Sequence, residues 1–78
     1  MKIVYIYDIK AKNKKKFNRT KRLFYYHLGK MNLGKNTWKT KSTLAVSTTS
    51  EKRLDLFFKK FGKSIVVYKI VAETIEEL

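Results

Sequence analysis

An aspartate stands at the end of the first apolar segment of this sequence, and a run of lysines follows it directly. Residues 3–9 read IVYIYDI, so Asp8 comes after a series of strand-forming side chains. Five lysines then occur between residues 10 and 16. A lone carboxylate at a strand end usually caps the strand or pairs with neighbouring lysines, and in a minority of proteins it ligates a metal ion. Asp8 is therefore the first residue whose chemistry needs an explanation.

The positive charge continues well beyond these lysines. Eight Lys or Arg lie between residues 10 and 22, and further lysines follow at positions 35, 39 and 41. Dense positive charge of this kind suits phosphate backbones, which it binds with little sequence selectivity and strong salt dependence. The predicted nucleic-acid-binding residues are Lys10, Lys12, Lys14, Lys15, Lys16, Arg19, Lys21, Arg22, Lys39 and Lys41.

The aromatic side chains bear on the form of the nucleic acid. Most of them fall on predicted core stripes, and they do not form a stacking platform for a single strand. We therefore expect backbone contacts to a duplex, with DNA preferred and RNA an open alternative.

The overall composition also points to a polyanionic partner. The 78 residues carry 19 Lys and Arg against six Asp and Glu, which gives a net charge of +13. Nucleic acid is the first candidate for such a charge, and a lysine-rich proteome or solubility alone is the alternative. Because there is no cysteine, a disulfide framework and a thiolate metal site are both excluded. The lone histidine, His27, has no partner at ligand spacing and is predicted to be a surface or packing residue.

No apolar run approaches the roughly 20 residues that span a bilayer. The first segment carries Asp8 and lacks a small-residue cleavage site, so a secretory signal is not expected. The sequence predicts a cytoplasmic protein without membrane contact, made of a single domain over residues 1–78. Residues 73–78 form an acidic tail, ETIEEL.

Two segments are apolar on both alternating faces. In residues 2–9, Ile3, Tyr5 and Tyr7 lie on one face and Val4 and Ile6 on the other. The segment SIVVYKIVA, residues 64–72, repeats this pattern. Strands of this kind are covered on both sides, so both segments are predicted to be central strands of one sheet.

The first predicted helix carries an apolar stripe of Phe17, Phe24, Leu28 and Met31. Asn13 is its predicted N-cap, and the glycines at positions 29 and 34 are candidate stops. Two large side chains lie off the stripe, at Leu23 and Tyr26. They indicate a wide buried face or, less commonly, a partner surface.

The second predicted helix has apolar residues at i, i+3, i+4 and i+7, which are Leu54, Phe57, Phe58 and Phe61. Thr48 and Glu51 have the spacing of a capping box, and Gly62 occupies the C-cap position. Between the helices, alternation over residues 37–48 predicts a strand.

If this long strand is bent or broken, the order of elements becomes βαββαβ, an α+β ferredoxin-like sandwich. Right-handed crossovers then place the first and last strands side by side in the centre of an antiparallel sheet, with both helices on one face. The other face still needs a cover. A second copy of the chain is the simplest cover, so the sequence predicts a homodimer through that face.

Several short segments resemble the small CRISPR-associated family commonly called Cas-two, which partners the integrase in spacer acquisition. They are VYIYDI at 4–9, a basic first helix with Arg22, KSTLAV at 41–46 and SIVVYKI at 64–70. Related toxin-like endoribonucleases share the fold and the opening strand. The sequence departs from the family at Thr40, where a glutamine is usual, and in the lysines that replace acidic residues after Asp8. These departures leave the inferred fold unchanged and favour binding over cleavage.

The resemblance implies a homodimer with stacked sheets, in which Asp8 and its twin near the two-fold axis share a divalent cation such as Mg²⁺. Asp8 would then be both metal ligand and catalytic residue, because the metal would orient a water and offset phosphodiester charge. The resemblance also implies that the end of the chain adds to the partner's sheet.

Three functions stay open at this point. The first is a non-catalytic dimer that holds duplex DNA for a partner integrase subunit. The second is a Mg²⁺-dependent endonuclease acting on RNA or DNA. The third is a basic nucleic-acid-binding protein of the same fold that is unrelated to CRISPR.

Overall fold

Four strands form one antiparallel sheet, and two helices connect them. The computed structural model describes residues 1–34 and 37–78. The elements in chain order are β1 (Lys2–Ile9), α1 (Lys14–Gly29), β2 (Trp38–Thr40), β3 (Thr43–Ser47), α2 (Glu51–Phe61) and β4 (Ile65–Ala72). Short 3₁₀ turns, Thr48–Ser50 and Gly62–Ser64, flank α2. The strand order is β2-β3-β1-β4, so the βαββαβ ferredoxin-like α+β fold predicted from the sequence is confirmed.

The segment predicted as one strand over residues 37–48 is broken into a hairpin. The turn falls at Lys41 and Ser42, and the register of β2 against β3 shifts between Trp38 and Thr40. Period-two alternation continues across this turn in the sequence, and no glycine or proline marks it. The hydrophobic pattern alone therefore does not locate the break. The predicted βαββαβ order of elements depended on this break.

The first and last strands lie side by side, as predicted. β1 pairs with β4 along its whole length, from Lys2 opposite Ala72 to Ile9 opposite Ile65. The prediction that both strands are central is wrong for β4, which lies at the edge of the sheet. β3 occupies the other side of β1, because the hairpin brings it back between β1 and β2.

One face of the sheet carries the core. Ile3, Tyr5 and Tyr7 of β1 are buried, and they pack with Phe24 of α1 and Phe58 of α2. The rings of Tyr5 and Phe58 are stacked with centroids 5.2 Å apart. Aromatic pairs of this geometry add to the stabilisation that burial alone provides.

The opposite face of the sheet stays open in the single chain. Val4, Ile6, Val66, Tyr68 and Ile70 share this face, because Val4 lies opposite Ile70 and Ile6 lies opposite Tyr68. Ile6 is 40% exposed and Tyr68 is 67% exposed. We call these five side chains the open face. Apolarity on both sides of β1 and β4 thus reflects a core on one side and exposed apolar surface on the other.

The predicted helix ends are partly confirmed. The Asn13 side chain accepts a 2.8 Å hydrogen bond from the Lys16 backbone N–H, and α1 ends at Gly29. Gly62 ends α2 with φ of +54°, a conformation that favours glycine. The predicted capping box of Thr48 with Glu51 is wrong, since a 3₁₀ turn stands there and no side chain caps α2.

The buried face of α1 is narrow, although a wide buried face was one of the two interpretations of Leu23 and Tyr26. Phe24 and Leu28 are buried, whereas Leu23 is 47% exposed and Tyr26 is 56% exposed. The wide buried face is therefore wrong. His27 is exposed, as predicted.

Candidate nucleic-acid interface and the adjoining cavity

The positive charge is concentrated on the loop after β1 and on the first half of α1. Every Lys and Arg between residues 10 and 22 is exposed, and we call this stretch the basic segment. No acidic residue occurs in the sequence between Asp8 and Glu51. Because these cations have almost no internal counter-charge nearby in the chain, the basic segment is a strong source of positive potential.

The start of α1 carries charge of the unfavourable sign. Lys14, Lys15 and Lys16 form its first turn, and that turn has no acidic residue. The N-terminus of a helix carries partial positive charge from its free N–H groups, so cations there lower helix stability. A bound anion would offset the repulsion between these lysines and the helix N-terminus. The three lysines therefore favour binding of an anion, although they lower the stability of the helix.

Asp8 lies close to the basic segment and pairs with it. Its Oδ2 lies 2.9 Å from Lys10 Nζ, and both side chains are more than 60% exposed. The hydrogen bond from Lys10 to Asp8 raises the pKa of the lysine. The aspartate at the strand end is thus an ion-pair partner for a neighbouring lysine, which is the common role for such a residue.

A cavity of about 500 Å³ opens beside this pair. It lies where the end of β1, residues 17–25 of α1 and the β2–β3 turn meet. Its main lining side chains are Tyr7, Asp8, Phe17, Lys21, Tyr25 and Lys41.

Two tyrosine hydroxyls fix one wall of the cavity. Tyr7 and Tyr25 both donate to the Lys41 backbone carbonyl, at 2.9 and 3.0 Å. The Tyr7 backbone N–H also donates to the Ser42 carbonyl at 3.0 Å. Burial raises the pKa of the Tyr7 hydroxyl well above its ordinary value. The β2–β3 turn is therefore held against β1, and Lys41 is kept at the cavity.

The structure brings some of the predicted site residues together and leaves others apart. Asp8, Lys21 and Lys41 line the same cavity. The remaining predicted residues are exposed but do not line it, namely Lys10, Lys12, Lys14, Lys15, Lys16, Arg19, Arg22 and Lys39. The lysine at position 35, which the sequence added to the basic set, lies outside the described residues.

Sequence reasoning missed the aromatic part of the cavity. Phe17 was predicted to belong to the core stripe of α1, yet it is half-buried and lines the cavity. Tyr7 and Tyr25 were not assigned any role at a site. The only available signal was chemical, because a tyrosine on an otherwise apolar face has a hydroxyl that needs a partner.

A second cavity, of about 540 Å³, lies between the outer sides of the helices. Leu23 of α1 and Leu56 of α2 line it, and both are about half exposed. The basic side chains Arg53 and Lys60 stand at its border. The exposure of Leu23 is consistent with the alternative of a partner surface.

The fit of a divalent cation depends on a second copy of the chain. In residues 1–34 and 37–78, no group of three or more His, Cys, Asp or Glu side chains could hold a metal ion. Within one protomer, Asp8 offers a single carboxylate that already contacts Lys10. A Mg²⁺ ion at Asp8 would take its other oxygen ligands from water, phosphate or the second protomer.

The class of this protein is inferred from its fold and its surface, because the comparisons with known proteins do not supply one. No protein-family model, curated protein or solved structure matches the chain. Among the described residues, no helix has the length and apolar character needed to cross a membrane. The class is therefore a ferredoxin-like α+β protein with a basic segment on one side, and the Cas-two resemblance depends on the sequence motifs alone.

Proposed function

We propose that this protein is a homodimer that binds double-stranded nucleic acid, with DNA preferred, through contacts to the phosphate backbone. The observation that carries the proposal is the basic segment, in which eight Lys and Arg side chains are all exposed. The Cas-two resemblance suggests the role of such a dimer, which is to hold duplex DNA for a partner integrase during spacer acquisition.

Phosphate contacts account for the composition of the segment. Lys and Arg side chains on a loop and on the first turns of a helix can follow a phosphate backbone without reading base edges. Each phosphate contact releases counterions, so the affinity should fall steeply as salt rises. No Asp or Glu lies within residues 10–22, so few internal ion pairs compete with the phosphates, and the exposed Lys10–Asp8 pair is one of them.

The open face supports the dimer. Tyr68 and Ile70 on β4 and Ile6 on β1 form a continuous exposed apolar surface across two paired strands. Small domains often complete their burial of apolar surface by associating. Stacking of the open face on a second copy would cover it and would place two basic segments on one particle.

The experiment is a salt titration of binding to a labelled DNA duplex. Replacement of Lys14, Lys15 and Lys16 by Ala should flatten the dependence of log Kobs on log salt by up to ~0.9 for each lost phosphate contact. The matched control removes the same charge elsewhere, through Lys52, Lys60 and Lys63 to Ala. If the control variant loses as much affinity and slope as the test variant, binding is a property of net charge and the proposal fails.

A metal-dependent nuclease is the second candidate function. The observation that favours it is the exposed carboxylate of Asp8 beside a cavity lined by Lys21 and Lys41. In that function Asp8 would ligate the metal, and the lysines would hold the phosphate to be cleaved.

A further inference from the structure

We propose that the cavity beside Asp8 binds a single unpaired nucleotide, with the base between the aromatic walls and the phosphate on the lysines. The inference rests on the proposed binding of nucleic acid and adds a ligand class to it. Paired bases are hidden inside a duplex, so only an unpaired or displaced base can enter a protein cavity.

The size and the walls of the cavity suit a planar ring. Its volume of about 500 Å³ falls within the range of small-molecule sites, roughly 300–1,000 Å³. Phe17 and Tyr25 are both half-buried, and both line it. Unpaired bases are commonly bound by stacking on side chains of this type.

The polar groups of the cavity match the rest of a nucleotide. Lys21 and Lys41 supply cations for a phosphate from opposite elements, α1 and the β2–β3 turn. Lys10 contacts Oδ2 of Asp8, so among the described residues the other carboxylate oxygen can accept from an exocyclic amine of a base. Stacking surface, cations and an acceptor therefore occur in one cavity.

The cavity is also preorganised. The hydrogen bonds of Tyr7 and Tyr25 to the Lys41 carbonyl hold three elements together around it. A ligand therefore does not have to order the β2–β3 turn when it binds, which lowers the entropic cost of binding.

The position of the cavity connects it to the basic segment. Lys21 belongs to both, and Lys10 begins the segment while pairing with Asp8 at the cavity. A strand whose phosphates follow the basic segment can therefore deliver its unpaired end to the cavity. A free mononucleotide has the same chemistry, and the experiment separates these two sources.

The test compares a blunt DNA duplex with the same duplex carrying a short single-stranded overhang. The protein should bind the overhang duplex about tenfold more tightly than the blunt one, which is within the usual effect of stacking one base. Phe17→Leu keeps an apolar side chain on α1 and removes the ring, so it should abolish this preference, measured as the ratio of the overhang affinity to the blunt affinity. Phe61→Leu is the matched control, a half-buried phenylalanine of α2 that lies outside this cavity, and it should keep the preference.

The outcomes separate the inference from the proposed function. Equal affinity for both duplexes, or a preference that survives in Phe17→Leu with a normal melting temperature, would overturn the nucleotide pocket while duplex binding stands. If the unmodified protein does not bind the blunt duplex, the proposed function is overturned instead. If adenosine monophosphate competes with the overhang duplex, free nucleotides also enter the pocket. If it does not compete while the preference for the overhang persists, the pocket accepts only strand ends.

Discussion

The Lys10 ammonium lies 2.9 Å from the Asp8 carboxylate, at the point where the first strand ends and the basic segment begins. The pair partly neutralises the one acidic side chain that borders a long stretch of cations. Both side chains are largely exposed, so solvent and salt weaken the pair and a phosphate can compete for Lys10. If the proposed nucleic-acid binding holds, the negative charge of Asp8 should oppose it.

This relationship predicts the behaviour of Asp8→Asn. The affinity for a DNA duplex should stay the same or rise, because one negative charge close to phosphate is removed and Lys10 is released. Fluorescence anisotropy at low and moderate salt measures the effect. Cleavage that depends on Mg²⁺ should vanish in this variant, because the metal would lose its protein anion.

Two results would contradict this account of Asp8. A collapse of binding in Asp8→Asn would mean that the carboxylate is a structural anchor for the strand end. Cleavage that persists unchanged would place the nuclease chemistry at another site or in a contaminant.

The charge of the first turn of α1 predicts that one substitution should raise the stability of the fold and weaken duplex binding. Lys15→Glu should stabilise the fold by about 1 kcal/mol, since an anion replaces a cation at the positive end of the helix. In a domain of this size such a gain raises Tm by roughly 4–8 °C. The same change should weaken duplex binding, as measured in parallel with thermal melting.

A charge-matched variant keeps this prediction specific. Lys2→Glu makes the same charge change at an exposed position of β1, so it should shift Tm much less. If Lys15→Glu lowers Tm, the lysines of the first turn contribute contacts that the structure does not display.

The sequence predicted the order of the elements and some of their ends, but not the position of every strand in the sheet. The Asn13 cap and the Gly62 stop involve neighbours in the chain, and both are confirmed. The edge position of β4 was missed, because apolar residues on both faces look the same whether the second face is covered or open. A break in the long strand was stated as the condition for the βαββαβ order, but its position at Lys41 and Ser42 was not predicted, because no glycine or proline marks it.

The cavity could not be predicted from the sequence for a related reason. Asp8 was selected for its position at a strand end and for the family resemblance, and Lys21 and Lys41 were selected for charge. Their convergence depends on the crossover from β1 through α1 and on the β2–β3 turn. Phe17 stands on the predicted α1 stripe, whose pattern indicates core, and Tyr25 was given no place on that stripe. Whether such a ring is fully covered depends on how far the β2–β3 turn reaches over it, and periodicity does not contain that distance.

The open face predicts a homodimer that one substitution can break. Light scattering should give about twice the 9.3 kDa chain mass at micromolar concentration. Tyr68→Lys should convert the protein to a monomer, because it puts a charge in the middle of the apolar surface. The fold itself should survive, since Tyr68 is already 67% exposed in the single chain.

The control for this variant is Leu56→Lys. Leu56 is 54% exposed on α2, on the helical side of the molecule, so its replacement should leave the dimer intact. A clean monomer for the unmodified protein would refute the stacking of open faces, and with it the sharing of a cation between two Asp8 side chains.

The acidic tail predicts a second contribution to the dimer. Residues 73–78 are exposed and form no helix or strand in the single chain. We expect them to order on the second protomer, with Ile75 and Leu78 supplying apolar contacts and the glutamates meeting lysines. Deletion of residues 73–78 should therefore weaken dimer affinity in analytical ultracentrifugation. If the affinity is unchanged, the tail is solvated charge without a role in assembly.

The contact between β1 and α2 predicts a pH dependence of stability. The Tyr5 hydroxyl donates a 2.7 Å hydrogen bond to Asp55, and Lys69 pairs with the same carboxylate at 3.0 Å. Burial opposes ionisation of Asp55, but the hydrogen bonds from Tyr5 and Lys69 outweigh it and hold the pKa of the carboxyl below its ordinary value of 3.8. Because the folded pKa is the lower one, the carboxylate stabilises the fold above the unfolded pKa, and this contribution is lost as the pH falls through the folded pKa.

Urea denaturation of the protein and of Asp55→Asn across acid pH tests this directly. The variant should be less stable than the unmodified protein at pH 7, and the difference in unfolding free energy should shrink once the pH falls below about 4. Asp8→Asn, which removes an exposed carboxylate paired with Lys10, should change the stability profile much less, because an exposed ion pair contributes little. If the difference in unfolding free energy stays constant at acid pH, the charge of Asp55 does not contribute to stability. The carboxyl group would then stabilise the fold equally well in its protonated and ionised forms, and the asparagine amide would not replace it.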